Sequence, residues 1–282
     1  MRQRTGSVIC PSCGVLVGVN DETCYNCGRR NPGLWGFAPV LRRLGRDLGF
    51  VPLVMGTCAV MYVLMLVASG SNIQMQGLMN LFAPSNQTLF LFGASGALPV
   101  FLYGRWWTVL SAGWLHAGLL HIFFNLMWVR QLAPATADLY GPARMTIIYI
   151  VAGVCGFALS TFAGAFFPGL PFLRGAQFTV GASAPIFGLL GALVCYGRRS
   201  GRSAVHGEAF GYAVTLFIFG LIMPGVDNYA HAGGFAGGYL TARVLDPLTR
   251  ERGDHMVVAL LSLGASLLAI VWSVIDGLKY LR

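Results

Sequence analysis

Long apolar segments separated by short polar ones dominate the chain from residue 50 onward. An α-helix rises 1.5 Å per residue, so about 20 apolar residues cross a hydrocarbon core of ~30 Å. The segments have roughly this length, and they lack the ten-residue alternation of a transmembrane barrel. They predict an all-α polytopic membrane protein. The seven predicted spans are residues 50–69, 115–133, 144–166, 183–197, 208–223, 229–246 and 256–277.

Composition supports a membrane location. Of the 282 residues, 56% are hydrophobic and 10% are charged, whereas soluble domains carry about 25% charged residues. The net charge of +9 does not indicate nucleic-acid binding, because the basic residues lie between apolar segments, as the positive-inside rule requires. We therefore expect the lipid bilayer as a partner and no nucleic acid. The polar N-terminal segment predicts no cleavable signal peptide.

The arginines predict an orientation, since they concentrate before span 1 and in the loops 2–3, 4–5 and 6–7. This pattern places the N-terminus in the cytoplasm, and seven spans place the C-terminus outside, against the weak opposing signal of Lys279 and Arg282. We expect a bacterial inner-membrane protein. The arginines counted are Arg29, Arg30, Arg42, Arg43, Arg46, Arg130, Arg144, Arg198, Arg199, Arg202, Arg243, Arg250 and Arg252, against Arg105 and Arg174 in the alternate loops.

The segment between spans 1 and 2, residues 70–113, has Arg105 as its one charge and is too apolar for a free loop. Tryptophan is enriched at membrane–water interfaces. We therefore expect this first loop to lie in the membrane interface, anchored by Trp106, Trp107 and Trp114.

Two C-x-x-C-G turns lie within residues 1–31, at Cys10, Cys13, Cys24 and Cys27. Four thiolates form a closed tetrahedral site of the kind that holds structural zinc. A module this short has no core, so a metal would have to stabilise it. The alternatives are two disulfides or disorder, and a cytoplasmic location disfavours disulfides. Cys58, Cys155 and Cys195, in the spans, are expected to be plain buried thiols.

Several polar residues lie inside predicted spans, where they are costly and usually functional. Span 2 contains His116, His121 and Asn125; span 4 begins with Gly181-Ala182-Ser183; span 6 begins with Asp227, Asn228 and His231. Spans 2, 4 and 6 run in the same direction, so their first residues converge near the outer face.

These residue types suit nucleophilic catalysis. A serine hydroxyl needs a nearby base, for which Ser183 has His231. Donors for a developing oxyanion would come from the helix N-terminus at Ser183 and from His121 and Asn125, four residues apart on one helix face. His116 points elsewhere and is expected to be structural.

Small residues on spans 4 and 6 predict close helix contact, which would bring Ser183 to His231. Phe187, one turn after Ser183, should then stack on His231. The small residues are Ala184, Gly188, Gly191 and Cys195 on span 4, and Gly233, Gly234, Gly237 and Gly238 on span 6.

Together these motifs resemble the rhomboid family of intramembrane serine proteases. Gly181–Ser183 is similar to the nucleophile motif, Ala230–Gly234 to the histidine motif, and His116, His121 and Asn125 to the second-helix pattern. The resemblance implies a Ser–His dyad without an acid, an oxyanion site at His121 and Asn125, and a large first loop partly in the membrane.

The resemblance also implies cleavage of single-pass membrane protein substrates near the outer leaflet, with no cofactor for catalysis. A second reading is a catalytically silent rhomboid-like protein that binds membrane clients, and a weaker third is a transporter. The predicted organisation is a zinc-ribbon-like module at 1–31, with a protein partner possible at its tips Ser12, Tyr25 and Asn26, a basic linker at 32–49, a rhomboid-like bundle of six spans at 50–250, and one further helix at 251–282.

Two details differ from the family pattern. Ala184 and Pro185 follow the serine where glycine is usual, and the first loop has Trp107-Thr108 where the family has Trp-Arg. A second Gly-Ala-Ser-Gly sequence surrounds Ser95, in the first loop. We assign Ser95 to structure, because no small-residue stripe follows it.

Overall fold

The predicted spans fold as α-helices. The computed structural model describes residues 2–11, 13–39, 44–77, 80–167, 175–249 and 251–280, and the predictions for Ser12, Arg42, Arg43, Arg174, Arg250 and Arg282 lie outside these ranges. The helices are α1 Phe50–Ser69, α2 Asn86–Phe92, α3 Thr108–Ser111, α4 Leu119–Tyr140, α5 Pro142–Phe166, α6 Ser183–Ser200, α7 Ser203–Ile222, α8 Asn228–Val244 and α9 Gly253–Gly277.

Two helices differ from the predicted bounds by more than four residues. The prediction ended the second span at residue 133, but α4 continues through Pro134 to Tyr140, since packed neighbours compensate for the hydrogen bond that a proline removes. The prediction made the fifth span short, but α7 begins at Ser203 and has 20 residues.

Four of the described helices, α1, α5, α7 and α9, are individually long and apolar enough to cross a bilayer, and α4 adds a fifth only together with the bent segment before it. The remaining two predicted spans, α6 and α8, are rich in glycine and alanine. Every residue of α6 from Ala184 to Gly197 is buried, so protein and not lipid surrounds it. Seven spans therefore stays a prediction.

Glycines bring α6 and α8 into backbone contact. A β-carbon at Gly234 would lie 2.1 Å from the Ala184 carbonyl oxygen, and one at Gly238 would lie 2.2 Å from the Gly188 carbonyl oxygen. Neither distance leaves room for any side chain. The predicted close contact of these helices is present.

Helix α5 covers the other side of α8 in the same manner. A β-carbon at Gly156 would lie 2.5 Å from the Ala230 carbonyl oxygen, and one at Gly237 would lie 2.5 Å from the Cys155 β-carbon. Helix α8 is thus held between α5 and α6.

The described part of the first loop is ordered against the core. It contains α2, a single π turn at Leu98–Leu102 and α3. Trp106 is 68% exposed, whereas Trp114 is buried in the main hydrophobic cluster. An interfacial role for Trp114 was therefore the wrong expectation, because the chain turns inward after Trp107.

The N-terminal module is built on a two-stranded antiparallel hairpin of β1 Ser7–Ile9 and β2 Leu16–Gly18. Its small apolar cluster includes Val8, Val17 and Val19 beside the buried thiols of Cys10 and Cys24. A core of this size is too small to stabilise the module alone.

We predict that Gly238→Ala destabilises the protein by ~1–3 kcal/mol or more, because the methyl group would overlap backbone atoms of α6. The measurement is the free energy of unfolding of the purified protein in a denaturing-detergent titration. The matched control is Gly264→Ala on α9, where a β-carbon would have no neighbour within 4 Å. Equal stability of the two variants would contradict the proposed packing constraint.

Candidate active site and metal centre

Ser183 is the first residue of α6 and is partly buried. The chain reaches it through Gly181, whose φ of +125° suits glycine and whose N–H donates to the Ala112 carbonyl at 3.0 Å. The first N–H groups of a helix have no intrahelical partner, and the helix dipole favours negative charge there. Ser183 therefore lies beside backbone donors suited to an oxyanion.

His231 lies one turn inside α8 and is 6% exposed. Phe187 stacks on its imidazole with ring centroids 4.2 Å apart and an interplanar angle of 13°, as the spacing from Ser183 predicts. His231 Nδ1 has no hydrogen-bond partner within the described part of the chain. The ring is therefore held by stacking and by its helix.

Helix packing brings Ser183 and His231 to the same end of the bundle. Ala184, next to Ser183, meets Gly234 of α8, and Phe187 meets His231. Among the hydrogen bonds of the described residues, none joins Ser183 to His231 directly. The contact between α6 and α8 is thus observed, and proton transfer from Ser183 to His231 is a proposal.

His121, on α4, reaches residues 176–181, the segment before Ser183 that we call the serine loop. The Ala117 N–H donates to His121 Nδ1 at 3.3 Å, so the proton of the neutral ring lies on Nε2. A β-carbon at Gly181 would lie 2.5 Å from that nitrogen. His121 Nε2–H therefore faces the segment that leads into Ser183.

Asn125 and His116 support His121 from two sides. The Asn125 side-chain amide donates to the His121 carbonyl at 2.8 Å, which leaves its second N–H for another acceptor. The His116 ring lies edge-on to His121 with centroids 5.2 Å apart, and neither nitrogen of His116 has a hydrogen-bond partner among the described residues. His116 thus packs against His121.

Ser95 occupies a structural position. It is fully buried, and its backbone N–H and carbonyl form a reciprocal bridge with Thr179 at 3.0 and 2.8 Å. Its hydroxyl lies 3.3 Å from the Thr108 hydroxyl and 3.4 Å from the Thr161 hydroxyl. These contacts join the first loop to the segment before Ser183.

A side-chain link that joins the start of α8 to the segment before Ser183 was not predicted from the sequence. Asp227 caps α8 by accepting from the Ala230 N–H at 3.0 Å, and its other oxygen accepts from the Ser160 hydroxyl. Ser160 in turn accepts from the Ala176 N–H at 3.2 Å. A serine on an apolar span is usually bonded within its own helix, so the sequence offers no specific signal for this link.

The four N-terminal thiols form a cluster suited to a metal ion. All four sulfurs lie within 4.8 Å of one another, with Cys10 and Cys27 3.7 Å apart and Cys13 and Cys24 3.5 Å apart. A tetrahedron of ~2.3 Å metal–sulfur bonds has edges of about 3.8 Å. Positive φ angles at Gly14 and Gly28 allow each turn to close, as each C-x-x-C-G pattern predicts.

The environment shifts the pKa values of two of these thiols in opposite directions. A hydrogen bond from the Val15 backbone N–H lowers the pKa of Cys13 to about 6, whereas desolvation raises the pKa of Cys24 to about 11. A bound dication would favour the thiolate at every position. The donor set and its spacing fit a structural site.

A rhomboid domain model matches residues 103–247, just over half of the chain. The chain belongs to the rhomboid family. It is 33% identical over 170 residues to RHOMBOID-like protein 7 of Arabidopsis thaliana, covering 58% of this chain and 51% of that protein. It is 29% identical over 181 residues to the rhomboid protease GluP of Bacillus subtilis, covering 63% of this chain and 33% of GluP.

Not every rhomboid relative is named as an enzyme. The inactive RHOMBOID-like protein 8 of Arabidopsis thaliana is 29% identical over 134 residues, covering 46% of this chain and 35% of that protein. The matched region thus spans between a third and about half of the length of these relatives.

The rhomboid match separates the candidate residues into two groups. Ser183, His231, His121 and Asn125 lie inside residues 103–247. Ser95 lies outside them, as do the cysteine module and α9. The chain is therefore an integral membrane rhomboid with additional elements at both ends of the matched domain.

Proposed function

We propose that this rhomboid is an intramembrane serine endopeptidase that cleaves single-pass membrane protein substrates, with Ser183 as nucleophile and His231 as base. The packing of α6 against α8 carries this proposal, because it stacks Phe187 on His231 one turn below Ser183. The retention of both residues favours the enzyme over a silent client-binding rhomboid.

In the proposed reaction, His231 takes the Ser183 hydroxyl proton while the serine oxygen attacks the scissile carbonyl. Because Nδ1 is buried with no hydrogen-bond partner among the described residues, Nε2 is the nitrogen assigned to this transfer. Protonated His231 then gives the proton to the leaving amine. In the second half, His231 takes a proton from water as the water attacks the acyl-enzyme, and returns it to the Ser183 oxygen as the acid product leaves.

The oxyanion would be stabilised from two directions. Backbone N–H groups at the start of α6 supply one set of donors, and the His121 Nε2–H and the free Asn125 N–H supply the other. The scissile backbone must leave its helix to reach this site, so we expect substrates with helix-destabilising residues near the cleavage position.

Orientation follows from the charge pattern and is part of the proposal. The basic loops place the N-terminus in the cytoplasm and the site near the outer face of the membrane. A bacterial inner membrane is the expected location.

We also propose that Cys10, Cys13, Cys24 and Cys27 hold a structural zinc ion, which would supply the stability that the small hairpin lacks. The module serves an accessory role, since the proposed topology places it across the bilayer from Ser183. Tyr25, 77% exposed at one knuckle, and the neighbouring Asn26 are candidates for contact with a protein partner.

Ser183→Ala and His231→Ala should each abolish cleavage of a transmembrane substrate, while Ser95→Ala should retain most of it. The double variant should be no worse than either single variant, because the pair acts as a unit. The measurement is substrate cleavage in detergent, with fluorophosphonate labelling of the serine. Cleavage by the Ser183→Ala protein would point to another nucleophile, whereas a folded wild-type protein without cleavage or labelling would support the silent client-binding alternative.

His121→Ala and Asn125→Ala should each lower kcat by ~10–1000-fold with KM nearly unchanged, the cost of losing one oxyanion donor. Steady-state kinetics on folded variants provides the test. A large rise in KM at constant kcat would instead assign these residues to substrate binding.

The purified protein should contain one zinc per chain, lost in a Cys10→Ser, Cys13→Ser double variant, because two thiolate ligands are removed. Elemental analysis after gel filtration measures the content. Cys58→Ala, at a buried thiol of α1, is the matched control and should retain the metal. A metal-free wild-type protein, or one with two disulfides in the module, would refute the assignment.

A further inference from the structure

Helix α9 contacts the first loop through a buried charge pair. This helix lies outside the region matched by the family model. Arg105 is fully buried, and its Nε lies 3.1 Å from the Asp276 carboxylate. Its other nitrogens donate to the Phe90 and Ser273 carbonyls, and the guanidinium lies 4.2 Å from the centre of the Phe90 ring.

Neighbouring residues reinforce this contact. The Trp107 indole N–H donates to the Ser273 hydroxyl at 3.1 Å, and the rings of Trp107 and Trp272 meet edge to face. A β-carbon at Gly277 would lie 2.9 Å from the Leu91 side chain. Helix α9 therefore fixes both α2 and the segment that enters α3.

A chain of hydrogen bonds connects Arg105 to the serine loop. The Thr108 hydroxyl donates to the Arg105 carbonyl at 2.7 Å and lies 3.3 Å from the Ser95 hydroxyl. Ser95 then forms its reciprocal backbone bridge with Thr179. Thr179 precedes Ser183 by four residues.

Two further bonds extend this pairing between the first loop and the serine loop. The Ala97 N–H donates to the Ala176 carbonyl at 3.0 Å, and the Leu98 N–H donates to the Gln177 carbonyl at 3.2 Å. Backbone hydrogen bonds from the first loop thus fix the conformation of residues 176–181. This conformation sets the position of Ser183.

We propose that Arg105 and Asp276 are positioning residues through which α9 fixes the first loop and, with it, the nucleophile. This inference rests on the proposed function for its effect on catalysis. The pair itself does not touch the reacting groups. Asp276→Asn leaves the buried Arg105 guanidinium without a carboxylate, whereas removing both Arg105 and Asp276 leaves no buried charge. Asp276 without Arg105 would keep a second partner, the Lys279 ammonium 2.8 Å away.

The test is Asp276→Asn in the full-length protein, with hydrogen exchange and kinetics measured on the same sample. Amides of residues 93–98 and 176–181 should exchange faster than in the wild type, while the β1–β2 hairpin should be unchanged. Catalysis should fall by ~10–100-fold in kcat with KM nearly constant, because the nucleophile is misplaced while the substrate surface is kept.

The matched control is Asp254→Asn on the same helix, where the carboxylate pairs with Arg252 at an exposed site; exchange and kcat should match the wild type. Arg105→Ala with Asp276→Ala should lose no more activity than the worse single variant. If Asp276→Asn does not fold, Trp107→Phe removes the indole hydrogen bond to Ser273 and part of the ring contact with Trp272. It should give a smaller change of the same pattern.

Unchanged exchange at residues 176–181 in a folded Asp276→Asn or Trp107→Phe protein would overturn the inference. So would a kcat equal to that of Asp254→Asn in a protein with measurable activity. If the wild type shows no Ser183-dependent cleavage, the proposed function fails on its own, and the exchange data still decide whether α9 controls the serine loop.

Discussion

Backbone contact between α6 and α8 is the constraint on which the rest of the site depends. At Gly191, Gly234 and Gly238 the facing helix leaves no space for even one methyl group. The contact sets how far Ser183 can be from His231, because each residue lies within a turn of it. Between helices in a membrane there is little hydrophobic driving force, so close packing of small residues has to supply the association.

Irregular backbone at membrane depth is tolerated only when its polar groups are paired within the protein. The segment 176–181 meets this requirement from two sides. The first loop pairs with it through Ser95 and Ala97, and the Asp227–Ser160 link accepts the Ala176 N–H. Residues 176–181 therefore connect the N-terminal cap of α8 with the first loop, which α9 contacts. In this way α8, the first loop and α9 all act on the position of Ser183.

The sequence predicts what local physics determines. Apolar length predicted the helices, small residues predicted the α6–α8 contact, and a four-residue spacing predicted the stacking of Phe187. It did not predict the burial of Trp114 or the pairing of Arg105 with Asp276, because these depend on where a loop turns and on a helix far along the chain. The proton position on His121 likewise depends on a backbone N–H that only the folded loop supplies. The catalytic roles themselves remain predictions.

A catalytic triad would have an acidic residue beside His231. The nearest acidic residue in sequence is Asp227. Both of its oxygens already accept hydrogen bonds, one from the Ala230 N–H and one from the Ser160 hydroxyl. Asp227 is therefore a helix cap that fixes where α8 begins. In a triad the acid orients the imidazole; in the proposed mechanism the face of Phe187 would do so without an added buried charge, which would be costly in the membrane. This packing agrees with the two-residue mechanism that the resemblance to rhomboid proteases implies.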